Sequence, residues 1–237
     1  MSRQQSAPGS PGALQRIEQR YPITWSELSL GEVRLRLPEL ADPVAYLRER
    51  LKDPGGSDLP YWNKLWPAAL GLAGMIASNP AMVRGRVIEL GAGMGVVGLV
   101  AAAVGHEVVI TDVEPDALEF ARAAAEANDL AARVQVRSLD WLNPPESLGR
   151  FETLLGAEIL YSRSTYPALA RLIEQLLAPG GVAYLSHERR PFEISFFAIA
   201  SESFRIGRKV IPMQGASAEA VDVFIYRLIP LMNTRTP

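Results

Sequence analysis

Two regimes of hydrophobic patterning divide the chain. Between residues 23 and 37 apolar and polar positions alternate, most plainly in Val33-Arg34-Leu35-Arg36-Leu37. A period of two sends successive side chains to opposite faces, so this segment predicts a hairpin around Gly31. ALQRIEQR at 13–20 predicts a short helix before it. PVAYLRERLK at 43–52 predicts another, with Asp42 as N-cap and Pro43 in the first helical position. DPGGSD at 53–58 is a loop, and an apolar helix over 67–78 opens at Pro67 and stops near Pro80.

Beyond this point short apolar runs alternate with helical stretches. Strands are predicted at 86–90, 107–111, 133–138, 151–157 and 182–186. Helices are predicted at 96–104, 115–128 and 165–177, the last ended by Pro179-Gly180-Gly181. Leu118, Ala121 and Ala125 share one helix face, as do Leu169, Leu172, Ile173 and Leu176. A helix near 192–203 precedes two strands near 205–212 and 221–229, joined only by a loop at 213–219. Alternating strands and helices imply a parallel, doubly wound sheet, and two strands joined by a loop alone are antiparallel. The expected class is therefore α/β: a doubly wound seven-stranded sheet with a terminal antiparallel strand pair and an N-terminal helix and hairpin extension. The expected division is a flexible tail at 1–12, an extension and substrate-side cap at 13–80, and a core at 81–230.

Composition removes several chemistries. With no Cys among 237 residues, disulfides, iron–sulfur clusters and thiol catalysis are excluded. The two histidines, His106 and His187, do not make a histidine-rich metal site, and no metal is expected. A net charge of −2 lacks the basic excess of a nucleic-acid binder, so no nucleic-acid partner is expected. No run of 18 apolar residues occurs, so no membrane span is expected. MSRQQSAPGSPG has no apolar stretch of the secretory type, which makes the cytoplasm the expected compartment.

The strongest chemical signal is Glu89-Leu-Gly91-Ala-Gly93-Met-Gly95, between a predicted strand and a predicted helix. Glycines there let backbone turn sharply and a ligand come close. The helix that follows offers unpaired N–H groups to polar or anionic atoms. Asp112 ends the next strand, 21 residues after Gly91, where a carboxylate can accept bonds from two ribose hydroxyls. Dinucleotides require G-x-G-x-x-G, and from Gly91 that register puts Val96 in the third glycine position. The shifted register Gly93-x-Gly95-x-x-Gly98 does match, but starts two residues late. The pattern E/D-x-G-x-G-x-G fits without shifting and suits S-adenosylmethionine, whose cationic ammonium Glu89 can meet directly or through water. Tight strand–helix packing is the competing, purely structural reading of the three glycines.

GRVIELGAGMGVVGLVAA and VVITDVEPDALEFARAAAEAN resemble the class I, seven-strand, S-adenosylmethionine-dependent methyltransferases, which have a Rossmann-like fold. The resemblance covers about residues 60–230 and implies S-adenosylmethionine as cofactor. Three further segments resemble the seven-strand protein lysine methyltransferases: Leu65-Trp66-Pro67-Ala68-Ala69, Asp140-Trp141, and Gly156-Ala157-Glu158-Ile159-Leu160-Tyr161. That family acts on proteins such as chaperones and elongation factors, and carries D-x-x-Y after its fourth core strand. Here the motif is Glu158-x-x-Tyr161, with a carboxylate about one methylene further out.

The resemblance implies Glu158 and Tyr161 as catalytic residues. It implies Trp66, Glu89, Gly91, Gly93, Gly95, Asp112, Val113, Asp140, Trp141 and Ala157 as cofactor-binding residues. In physical terms Asp140 can accept from an adenine amino group, Trp141 can wall the ring, and Trp66 can line the methionine end. Glu158 and Tyr161 fall at a strand's C-terminal end, where open α/β sheets bind ligands. His187 reads as a packing or loop residue more readily than as a base, and Arg189 and Arg190 as a solvated pair. The implied activity is methyl transfer to a protein lysine. A small-molecule N- or O-methyltransferase on the same fold is the alternative.

Overall fold

The computed structural model describes residues 12–52, 61–145, 148–188, 193–214 and 220–231. The expected loop at 53–58, the Arg189-Arg190 pair and nearly all of the expected tail at 1–12 lie outside them. The chain begins with α1 (Ala13–Arg20), the hairpin β1 (Ile23–Leu30) and β2 (Val33–Leu40), and α2 (Pro43–Arg50). A 3₁₀ turn, Tyr61–Asn63, leads to α3 (Pro67–Ser78). The alternating part comprises β3 (Val87–Leu90), α4 (Val96–Ala103), β4 (Val108–Asp112), α5 (Pro115–Ala127), β5 (Val134–Ser138), β6 (Phe151–Ala157), α6 (Tyr166–Leu176) and β7 (Leu177–Glu188). The chain ends with α7 (Glu193–Ala200), β8 (Phe204–Gln214) and β9 (Ala220–Pro230).

The expected α/β architecture is found. Seven strands form one sheet in the order β5-β4-β3-β6-β7-β9-β8, and β1 and β2 pair separately. Strands β3 to β7 run parallel, while β9 lies antiparallel to both β7 and β8. Alternate residues of the central strands feed different layers. Val87, Ile110 and Leu155 join α3, α4 and α5 in one apolar cluster, whereas Ile88, Leu90 and Leu154 join α6 and α7 in another. α3, which falls within the 13–80 extension, contributes Leu72, Ala73 and Ile76 to the first cluster. The hydroxyl of Ser186 on β7 donates to the Ala68 carbonyl at 2.8 Å, fixing the start of α3 on the sheet.

Local chemistry accounts for the element ends. Asp42 caps α2 as expected, accepting from the Val44 and Ala45 amides at 3.1 and 2.9 Å. The hairpin runs to Leu40, three residues past the expected limit, because Leu35, Leu37 and Leu40 are all buried. The end of α6 differs from expectation. The helix stops at Leu176, before Pro179, and Leu177 is already paired with Phe151 in the sheet. Arg150 Nη1 donates to the Leu177 carbonyl at 2.7 Å, and the register then shifts before Thr153 meets Val182. Pro179 and Gly180 therefore occupy an irregularity within β7 instead of a loop ahead of it.

α5 carries the N-terminal extension along its length. Glu126 accepts from the Ala13 and Leu14 amides at 2.8 and 2.9 Å, completing the first turn of α1. The Asn128 amide pairs with both backbone groups of Arg36, each at 2.8 Å, and so extends the hairpin edge by one side chain. Asp116, in the first turn of α5, lies against Arg20 and Tyr46.

Leu72 is 0% exposed in the larger cluster, so Leu72→Ala leaves a cavity that close-packed neighbours refill only in part. Urea denaturation is expected to register a loss of about 2–5 kcal/mol.

Candidate active site

The glycine segment lies where β3 ends and α4 begins, and three contacts shape it. The Ala92 amide donates to the Thr111 carbonyl at 3.0 Å, which keeps the segment beside β4. The Gly93 amide donates to Asp112 Oδ2 at 2.8 Å, and Asp112 Oδ1 accepts from the Glu114 amide at 2.9 Å. The backbone of the 3₁₀ turn lies on the other side of Gly93. A Cβ built on Gly93 would come within 2.8 Å of the Trp62 carbonyl oxygen, and its φ of +54° is one that side chains strain to adopt. Gly91 is bare for a related reason, since a Cβ there would meet the Trp141 ring and Ile159, each at 2.9 Å.

Glu89 is turned inward. It is 1% exposed, and Oε2 accepts from the Gly98 amide at 2.8 Å inside the first turn of α4. A Cβ on Gly98 would lie 2.5 Å from that oxygen, so this glycine makes room for the carboxylate. That accounts for the glycine which completed the shifted dinucleotide register. Burial pushes the Glu89 carboxyl up to about 8, with Asp112 adding repulsion and the Gly98 amide opposing the shift. Burial also raises the Asp112 carboxyl above its ordinary value, against the pull of the Glu114 and Gly93 amides.

The other expected residues lie at or beyond the ends of β4, β5 and β6, or ahead of α3. Val113 is 60% exposed beyond the end of β4. Asp140 lies after β5, Oδ1 accepting from the Leu142 amide at 2.9 Å and Oδ2 from the Asn143 side chain at 2.8 Å. Those two bonds hold its carboxyl below the usual range. Trp141 leans on Gly91, and its ring centre is 6.2 Å from that of Tyr161. Ala157 ends β6, one residue beyond the Leu90–Gly156 pair that aligns β6 with β3. The Trp66 indole N–H donates to the Tyr61 carbonyl at 3.1 Å, and Lys64 Nζ sits 3.9 Å from the Trp66 ring centre. Four residues earlier, Trp62 is the tryptophan whose backbone touches the glycine segment.

Glu158 follows β6 with a φ of +56°, sparsely populated for any residue with a side chain. Three bonds or burials over-determine it. Its amide donates to the Ser186 carbonyl at 2.7 Å, its Oε1 accepts from the Glu188 amide at 2.7 Å, and Ile159 is buried immediately after it. Ile159 and Leu160 turn inward, while Tyr161 is 65% exposed at the rim. Strain of this kind, held by its surroundings, clusters at functional positions. His187 is buried at 1%, stacked on Phe224 and Tyr226 with ring centres 6.1 and 5.3 Å away, in keeping with a packing role.

Residues 57–203 match the family model described as lysine methyltransferase. The chain belongs to the lysine methyltransferase family. It is 38% identical over 138 residues to EEF1A lysine methyltransferase 3 of Mus musculus, covering 57% of this chain and 59% of that protein. It is 42% identical over 131 residues to the protein N-lysine methyltransferase METTL21A of Danio rerio, covering 52% and 58%. The matches thus span less than two thirds of these curated relatives. In fold, the chain resembles the crystal structure of the N-methyltransferase NodS of Bradyrhizobium japonicum in complex with S-adenosyl-L-homocysteine. The TM-score is 0.56 at 16% identity, over 80% of this chain and 99% of that one. Family membership agrees with the resemblance read from the sequence. Trp62 and the strain at Glu158 were not legible there, because both depend on partners far away in the chain.

Gly93→Ala sets a left-handed φ against a Cβ and drives that atom toward the Trp62 carbonyl. Thermal denaturation followed by circular dichroism is expected to report a loss above about 2 kcal/mol. The raised Glu89 carboxyl sets a pH dependence. The folded chain keeps its proton up to about 8, whereas the unfolded chain loses it near 4.5, so unfolding between these values releases a proton. Stability from this group therefore falls as pH rises through that window, by as much as about 1.4 kcal/mol per unit. Glu89→Gln keeps an acceptor for the Gly98 amide and removes the titration. Its urea midpoint is expected to decline less than the parent's between about pH 5 and pH 8.

Proposed function

We propose that this chain transfers a methyl group from S-adenosylmethionine to lysine side chains of a protein acceptor. One juxtaposition carries the reading. The bare segment joined to Asp112 lies at the ends of β3 and β4, and the strained Glu158 lies at the end of β6, β3's other neighbour. Membership of the lysine methyltransferase family supports the choice of acceptor. In this reading residues 13–80 form the substrate-side cap and 81–230 the cofactor-binding core, in the cytoplasm; fractionation of cells expressing the full chain tests the compartment. Among the described residues no helix is long and apolar enough to cross a membrane.

The residues present suit this cofactor. The bare backbone at Gly91 and Gly93 lets Trp141 and the Trp62 turn pack directly against the segment beside Asp112. Each Asp112 oxygen already accepts one amide, and carboxylate oxygens have lone pairs for further donors such as ribose hydroxyls. Trp141 offers an apolar face, with Val113 and Asp140 at the same edge. Glu89, buried behind Gly98, serves the site by fixing the start of α4 instead of by contact with the cofactor's ammonium. When bound, S-adenosylmethionine supplies a methyl group on a positively charged sulfur.

The protein's remaining task is to bring in a neutral amine along the line of the bond to be broken. A free lysine has a pKa near ~10.4, so neutralising it at about pH 7.4 costs about 4 kcal/mol. A carboxylate favours the ammonium form, which fits Glu158 for capturing and orienting the side chain on arrival. The proton then passes to water before transfer. Tyr161 closes the pocket beside Trp141 and hydrogen-bonds the amine. Its exposure at the rim suits an acceptor presented on a folded surface.

Incubation with tritiated donor and an extract from cells lacking the enzyme tests the acceptor class. Label on lysine of a discrete protein band is expected; label confined to small molecules or RNA contradicts the reading. With that acceptor, Glu158→Ala is expected to lower kcat by at least about tenfold and Tyr161→Phe by severalfold. KM for the donor should stay within about twofold. Parent-like turnover in both variants removes their catalytic assignment.

A further inference from the structure

The polar contacts between α5 and the N-terminal extension are exposed or half-buried, except at the first turn of the helix. There Asp116 is 2% exposed and surrounded. The Tyr46 hydroxyl donates to Oδ2 at 2.7 Å, Arg20 Nη1 donates to Oδ1 at 2.9 Å, and Arg50 Nη1 lies 3.6 Å from Oδ2. Tyr21 packs edge-on against Tyr46, with ring centres 5.6 Å apart. Burial and the adjacent Asp116 charge push both tyrosine hydroxyls well above their ordinary values, so they stay protonated donors. Taking one partner from a buried charge leaves it uncompensated, so such a cluster holds its geometry strictly.

Two chains of contact lead from this cluster to the glycine segment. One is aromatic. The Tyr46 ring meets the Trp62 ring edge-on at 5.8 Å, and Trp62 meets Phe120 of α5 at 4.9 Å. Asn63 Oδ1 accepts the Leu40 amide at 3.1 Å, which ties the same turn to the hairpin. The Trp62 carbonyl then abuts Gly93. The other chain is ionic. Arg50 holds both Glu114 oxygens, at 3.0 and 3.1 Å, and the Glu114 amide holds Asp112 Oδ1 at 2.9 Å. The two chains arrive at opposite ends of one hydrogen bond, Gly93 to Asp112, 2.8 Å long.

We propose that Asp116 is a positioning residue for the cofactor site, holding the extension so that Trp62 and Arg50 set the Gly93–Asp112 junction. The inference rests on S-adenosylmethionine being the cofactor. It makes the extension part of the cofactor site as well as a cap on the substrate side. Asp116 itself touches neither cofactor nor acceptor in this account; it acts through Tyr46 and Arg50.

Calorimetric titration of the full chain with S-adenosylhomocysteine tests it, using Asp116→Asn, Tyr46→Phe and the control Glu126→Gln. Glu126 anchors α1 at the far end of α5, so its loss weakens the extension without reaching the junction. The expected result is a Kd raised about fivefold or more in Asp116→Asn and by a smaller factor in Tyr46→Phe. Glu126→Gln should bind within about twofold of the parent even where its Tm falls as far. Donor KM should rise with Kd, while kcat at saturating donor stays within about twofold. If Asp116→Asn does not fold, Tyr46→Phe, which removes one hydroxyl, decides alone. Parent-like affinity in the folded variants, whatever their Tm, overturns the inference. A parent chain that does not bind S-adenosylhomocysteine overturns the cofactor reading instead, and this inference with it.

Discussion

The hydrogen bond from the Gly93 amide to Asp112 Oδ2, 2.8 Å long, joins the turn after β3 to the end of β4. Both partners are constrained before they meet. Gly93 must lack a side chain because the Trp62 carbonyl lies against it, and Asp112 is steadied by the Glu114 amide. The sheet delivers the two strand ends side by side, with Val87, Ile88 and Glu89 paired to Val108, Val109 and Ile110. A segment bare of side chains is thereby held next to a carboxylate.

Glu89 illustrates how one acid can support such a site without touching its contents. Its carboxyl group accepts from an N–H at the start of α4 that would otherwise lack an intrahelical partner. It does so beside a glycine whose missing side chain makes the room. Glu158 is the contrasting case. Its backbone is strained, its carboxylate bridges to β7, and the residues after it are buried so that Tyr161 reaches the rim. The first acid stabilises a helix start; the second is held in a costly conformation at the strand edge, where the proposed chemistry takes place.

Much of this fold was legible in local patterning. The period of two around Gly31, the Asp42-Pro43 helix start and the strand–helix alternation after residue 85 are short-range signals, and each corresponds to an element. The glycine segment and Asp112 were readable because their spacing follows from the length of one strand, helix and strand. Where several elements meet, local reading ran out. Asp116 looks like an ordinary first-turn acid, yet its partners are 70 and 96 residues away. Trp62 carries no local signal of its contact with Gly93, whereas Trp66 stands next to a proline at a helix start. The Pro179-Gly180 pair signals a break, but a bond from Arg150 to Leu177 decides that the break falls inside a strand.

The account therefore rests on a glycine segment packed between Trp62 and Trp141 and bonded at its middle to Asp112. A crystal structure of the full chain with S-adenosylhomocysteine tests it most directly. The account predicts ribose hydroxyls within hydrogen-bond reach of Asp112, the ligand backbone-close along Gly91–Gly95, and the Gly93–Asp112 bond intact. Ligand bound elsewhere, or bound there only after that bond has broken and the Trp62 turn has moved away, would contradict it.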